Sequence, residues 1–219
     1  MKNLWVFGDS YSVGLDLKKY PDSLWRKKYI EWKGYIPKNY VDYLSADFDL
    51  EVHNYSGDGK SNYEIFVNFC DVVSSIKQED FVIFNWTDVG RYRLVNDNDS
   101  WQTISTWNVL YEKEVTDITS VSFDSMLEIY INRVNNLSHM CGEVHSWITL
   151  INQHLINCKV LHWTPFNEPD LYKVLNMSNI TTINDETNKI VNDSHYGEIG
   201  NKELYIEIKK YFENYKTLI

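Results

Sequence analysis

Four short apolar runs are spaced along the chain, and segments of helical length and period lie between them. The runs are Leu4 to Phe7, Leu50 to Tyr55, Phe81 to Trp86 and Val160 to Trp163. Runs this short and this apolar read as strands buried on both faces, the habit of parallel sheets. The intervening segments place apolar residues at steps of three and four. Lys38 to Phe48 gathers Tyr40, Val41 and Leu44 on one side, and Asn62 to Ile76 gathers Ile65, Phe66, Phe69, Val72, Val73 and Ile76. The series from Leu127 through Ile131, Val134, Leu137, Cys141, Val144, Ile148 and Ile151 to Leu155 predicts one long helix, or two meeting near Gly142. Glu198 to Tyr215 predicts a last helix with Leu204, Ile208, Tyr211 and Phe212 inward. Strands alternating with helices imply an α/β fold, a three-layer α/β/α sandwich around a central, mainly parallel sheet.

No repeat, low-complexity tract or linker interrupts the 219 residues, so one domain over 1–219 is expected. Residues 92–123 lack a clean period, carry Trp101, Trp107 and Tyr111, and read as an insertion or small hairpin. A hydrophobic share of 43% is enough for a full core. The net charge of −10 argues against nucleic acid or an anionic membrane as the main partner. No apolar stretch is long enough to span a bilayer and no secretory leader is visible. A soluble protein is therefore expected, cytoplasmic or, if encoded by a phage, associated with the virion. Cys70, Cys141 and Cys158 are odd in number and have no metal-ligand spacing, so neither disulfides nor a metal is expected.

In such a sheet, ligands sit beyond the carboxyl ends of the strands. Ser10, Gly59, Thr87 and the Thr164 region each follow a strand candidate. In "FGDSYS", Ser10 stands directly after the first strand. A serine hydroxyl becomes a nucleophile only with a base in reach and donors for the developing oxyanion; otherwise Gly-Asp-Ser is a turn. A base is offered by "NDSHYGEIGN", where His195 precedes the last helix with Asp193 two residues earlier and Asn192 three earlier. A carboxylate there can orient the imidazole, and the competing reading is a helix-entry loop capped by Asp193 or Ser194. The other five histidines, His162 among them, have no such setting and read as core or surface residues.

"FGDSYS" resembles the first block of the SGNH (GDSL-type) hydrolases, and "DSHYGEIGN" their last. "NYSGDGKSNYEI" is similar to their second, with Gly59 the best match to the glycine that donates a backbone N–H to the oxyanion. The three blocks stand in family order across nearly the whole chain. The resemblance implies a flavodoxin-like sheet and a serine esterase that needs no cofactor or metal. Its catalytic residues would be Ser10, His195 and Asp193, and its oxyanion hole would be Ser10, Gly59 and a third donor. The third block departs from the family's Gly-x-Asn-Asp: in "FNWTDVGR", Thr87 takes the Asn position, with Asn85 as the alternative donor. The last block departs as well, with Asn192 where the acid usually stands. Asn62, Trp86 and Arg91, in or beside the second and third blocks, are candidates to position substrate. The expected substrate is a small-molecule or carbohydrate ester, O-acetyl groups on sugars above all.

Two rivals remain open. Gly59-Lys60-Ser61 matches the end of a phosphate-binding loop, but the motif needs glycine where Asn54 stands. The fold could also serve as a non-catalytic binding or structural module, for example on a virus particle, since fold does not dictate function.

Overall fold

A computed structural model describes residues 2–15, 21, 23–95, 101–104, 137–167, 172–187 and 194–214. Its centre is a five-stranded, wholly parallel sheet. The strands are β1 (Lys2–Phe7), β2 (Leu50–Asn54), β3 (Phe81–Asn85), β6 (Lys159–Thr164) and the two-residue β7 (Leu175–Asn176), in the order β2-β1-β3-β6-β7. The remaining strands, β4 (Tyr92–Val95) and β5 (Trp101–Ile104), pair antiparallel as a separate hairpin inside the predicted insertion. The rest of 92–123, Trp107 included, lies outside the described residues, as do Asn192 and Asp193. With the hairpin set aside, the strand order is the 2-1-3-4-5 of flavodoxin-like sheets, whose direction of travel reverses between the first and third strands.

Alternation along each strand sends side chains to two cores. Trp5 and Phe7 of β1 join Val82 and Phe84 of β3 on one face, and Leu4 and Val6 join Phe81 and Ile83 on the other. The first face is covered by α4 (Asn62–Val72) through Ile65 and Phe69, and by α5 (Leu137–His154) through Cys141, Val144 and Ile151. The second is covered by α3 (Tyr40–Phe48) through Val41 and Leu44, and by α7 (Glu198–Asn214) through Leu204, Ile208 and Phe212. The expected three layers are therefore present, with helix periods matching the buried residues. Gly142 lies within α5, so no break falls there; the predicted stretch before Leu137 lies outside the described residues.

Three helices were not legible in the sequence: the short α1 (Ser10–Val13), α2 (Leu24–Lys33) and α6 (Ile183–Thr187). All three lie near the carboxyl edge of the sheet or the loops above it. Among the described residues no helix is long and apolar enough to cross a membrane. No disulfide joins the three cysteines; Cys70 is exposed, and Cys141 and Cys158 are buried.

Candidate active site

Where β1 ends, the chain turns at Gly8 and enters α1, with Asp9 as its N-cap. The Asp9 carboxylate accepts from the Tyr11 N–H at 3.1 Å, and this bond sets the backbone that holds Ser10 at the first helical position. Gly8 is obligatory because β1 and β3 close on each other there: a Cβ on it would lie 2.7 Å from Asn85 Cβ and 3.0 Å from Ser12 Oγ. Gly8→Ala is therefore expected to wedge the two strand ends apart. The expected cost is about 1–3 kcal/mol of stability, which thermal denaturation checks.

His195 comes from the far end of the chain and places Nε2 2.5 Å from Ser10 Oγ. Its loop is held from several sides. The His195 carbonyl accepts from the Ile183 N–H at 2.7 Å, and Thr182 and Tyr196 form a β-bridge. Asn201 of α7 donates to the carbonyls of Tyr196 and Gly197 at 2.9 and 2.8 Å. Tyr11 stacks on the imidazole with centroids 4.7 Å apart, and its hydroxyl donates to the Ser194 carbonyl at 3.2 Å. Tyr11 thus joins the Ser10 turn to the His195 loop. Sequence reasoning missed it, although its place directly after Ser10 was a signal.

Asp9 is wholly buried. Burial raises its pKa, while the Arg91 guanidinium, the Tyr11 N–H, the Thr87 hydroxyl and the field of a charged His195 pull it back down. Arg91 Nη1 lies 3.3 Å from Asp9 Oδ2. The turn that brings it there is made by Asp88, whose side chain accepts from the Gly90 N–H at 2.7 Å. Arg91 keeps part of its side chain exposed and so remains available to a ligand.

The loop after β2 docks beside this turn. The Gly57 N–H donates to the Gly8 carbonyl at 3.1 Å, so it is already engaged. Gly59 takes φ +69, a left-handed conformation suited to glycine, and a Cβ there would meet no neighbour within 4 Å. Among the described residues its N–H, like that of Ser10, meets no acceptor. Both amides therefore keep an unused donor.

Four expected site residues turn out to be structural. Trp86 is fully buried, stacks on Phe84 and donates Nε1–H to His162 Nδ1 at 3.1 Å, so it belongs to the core and offers no face to substrate. The Asn62 amide pairs with both backbone groups of Thr87, donating at 2.9 Å and accepting at 2.8 Å; it braces the turn after β3. Neither candidate for the third oxyanion donor meets open space, because Thr87 and Asn85 are both 0% exposed. Asn85 accepts from Ser12 Oγ at 3.1 Å and packs against Gly8. The Thr87 hydroxyl is buried towards Asp9 without a well-formed hydrogen bond among the described residues. Nor do Lys60 and Ser61 form a phosphate cradle: Lys60 Nζ donates to the Tyr55 carbonyl at 2.7 Å, and Ser61 caps α4 in a capping box with Glu64.

The fold and site together define a doubly wound α/β protein with a serine–histidine pair at the point where its strand order reverses. No family model and no curated protein matches the chain. Solved structures do resemble it. An acetyl xylan esterase shares 13% identity at a TM-score of 0.45, over 95% of this chain and 98% of that one. A psychrotrophic esterase from Pseudoalteromonas sp. shares 14% at 0.43, over 98% and 100%. A lipase/acylhydrolase from Enterococcus faecalis shares 12% at 0.40, over 98% and 95%. Likeness at this level transfers no residue's role to this chain.

Proposed function

We propose that this protein is a serine ester hydrolase of the SGNH (GDSL-type) family, and that its substrates are carbohydrate O-acetyl esters. The observation that carries the reading is the 2.5 Å contact between Ser10 Oγ and His195 Nε2, made across the whole length of the chain at the sheet's switch point. A nucleophile within hydrogen-bond reach of a base is the signature of covalent acyl transfer.

In this mechanism Ser10 Oγ attacks the ester carbonyl carbon while His195 Nε2 takes its proton. The carbonyl oxygen becomes an oxyanion that meets the N–H groups of Ser10 and Gly59. Collapse of the tetrahedral intermediate breaks the bond to the alcohol, which leaves with the proton from His195. Water, deprotonated by the same nitrogen, then releases the acid and restores Ser10. Asp193, the residue that the sequence offers to orient His195, lies outside the described residues. Asp9 acts by position: buried and held by Arg91, its carboxylate stabilises the positive charge that His195 acquires.

The preference for a polar ester is supported by Lys60 and Arg91, which stand on the two loops beside Ser10 and are each partly exposed. Hydrolysis of p-nitrophenyl acetate and of acetylated oligosaccharides, compared with butyrate and longer acyl esters, tests it. Faster turnover of long acyl chains would remove the carbohydrate assignment and keep the esterase. The seclusion of Asn85 and Thr87 favours a second reading, a non-catalytic module of the same fold. Labelling of Ser10 by a fluorophosphonate decides against it, and absence of labelling decides for it.

A further inference from the structure

Helix α2 is unusual in what it buries. Arg26, Tyr29 and Lys33 are spaced by three and four, so they share one face. That face grips both loops of the site. At its first turn the guanidinium of Arg26, with no exposed surface, holds Asp58 by two parallel bonds, Nη1 to Oδ2 at 2.5 Å and Nη2 to Oδ1 at 2.6 Å. Asp58 stands between Gly57, tied to the Gly8 carbonyl, and Gly59, whose N–H is the proposed oxyanion donor.

Further along the same face, the Tyr29 hydroxyl donates to Glu186 Oε2 at 2.5 Å and accepts from the Glu198 N–H at 2.8 Å. The other oxygen of Glu186 accepts from the Ile199 N–H at 2.8 Å. Lys33 Nζ adds contacts of 3.8 and 3.5 Å to Glu186 and Glu198. The Glu186 carboxylate occupies the space that a Cβ on Gly197 would need, two residues after His195. Burying a guanidinium is costly unless its geometry is well satisfied. Here the bidentate pair lands on the residue that sets the direction of the Gly59 amide.

We propose that α2 is a clamp that fixes the oxyanion loop in register with the histidine loop, and that Arg26, acting through Asp58, is a positioning residue for ester hydrolysis. The catalytic half of this inference rests on the esterase reading. Asp58→Asn keeps the shape of the side chain and removes its charge. Its rates are expressed per active site, titrated with a fluorophosphonate, so that a loss of folded protein is not read as a loss of catalysis. Per site, kcat/KM is expected to fall about tenfold with KM within about twofold of wild type, a displaced donor costing less than a lost one. The inhibition constant of a trifluoromethyl ketone, which forms a tetrahedral adduct on Ser10, is expected to rise by the same factor. Amide exchange over residues 58–61 is expected to quicken.

A clamp that serves stability alone lowers the titrated fraction and leaves kcat/KM per site and the ketone constant as in wild type; that result overturns the positioning role. If Asp58→Asn does not accumulate folded, the double variant Arg26→Gln with Asp58→Asn, which leaves no buried charge, takes its place with the same expectations. Wild-type activity in Ser10→Ala overturns the esterase reading instead, and the catalytic half falls with it. Amide exchange then decides whether α2 holds the loop: faster exchange supports the clamp, and unchanged exchange overturns it.

Discussion

Ser10→Ala is expected to abolish ester hydrolysis to within the background of the oxyanion site, a loss of roughly 10⁴–10⁶ in kcat. The substitution removes the one atom that His195 Nε2 approaches at 2.5 Å and leaves the rest of the turn intact. Asp9 still caps α1, since its bond is to the Tyr11 N–H and not to the Ser10 hydroxyl. The variant should therefore fold with a Tm close to that of wild type while losing covalent labelling by a fluorophosphonate. His195→Gln, which keeps a hydrogen-bonding group and removes the base, is expected to lose activity of the same order. Non-additivity is the diagnostic: the double variant should be no slower than either single, because the two groups act as a unit. Turnover of p-nitrophenyl acetate by Ser10→Ala at the wild-type rate would sink the mechanism.

The second large effect is on stability in acid, and it comes from His162. Its ring is partly buried, stacks on Phe84 with centroids 5.0 Å apart, and accepts from Trp86 Nε1–H through Nδ1. The proton must then be on Nε2, which donates to Asn152 Oδ1 at 3.1 Å. Burial lowers the His162 pKa to about 3 from an ordinary value of 6.5. As pH falls below 6.5 the unfolded chain binds a proton that the folded chain refuses until about pH 3. Stability supplied by the neutral ring is therefore complete above pH 6.5 and is lost on the way down, at most about 5 kcal/mol in all. That is a large part of the total for a typical domain.

Asp80 acts in the same sense: burial alone would raise its pKa, but hydrogen bonds from the Lys77 N–H, Trp5 and Asn3 outweigh it and lower it. Asp9 acts in the opposite sense, since its raised pKa makes its contribution fall as pH rises above 3.8. His162→Gln can still accept from Trp86 and donate to Asn152 but cannot titrate. Its urea-unfolding stability is expected to change much less between pH 7 and pH 4 than that of wild type. Equal pH dependence in the two proteins would assign the acid sensitivity elsewhere.

The parts of the fold that were legible in the sequence are those whose signal is local. Leu4 to Phe7 and Phe81 to Phe84 are buried on both faces, so apolar runs announced them. Helices α3, α4 and α7 present apolar stripes to the sheet, so their period did the same. Helix α2 stayed hidden because its pattern is inverted: Arg26 and Tyr29 are buried, while Leu24 and Trp32 are 64% and 42% exposed. No reading of hydrophobic period can find a helix whose inward face is polar. Trp86 misled for a related reason. Its place beside the third block suggested a sugar platform, but alternation after Phe84 turns it back into the core to meet His162.

The alternation of strand and helix, hence the α/β class, was written in the linear pattern, as were the chemical kinds of residue that follow the strands. Apolar burial is nondirectional and roughly additive, so a one-dimensional pattern is enough to predict it. Which polar groups meet was settled by the folded chain alone. Folding brought Ser10 and His195 together across 185 positions. It turned Asn62 towards Thr87 and Asn85 towards Ser12, and it gave Asp58 to a buried arginine on a helix that no pattern had shown. Hydrogen bonds and ion pairs depend on distance and direction between groups far apart in the chain, and those quantities exist only once the sheet has formed.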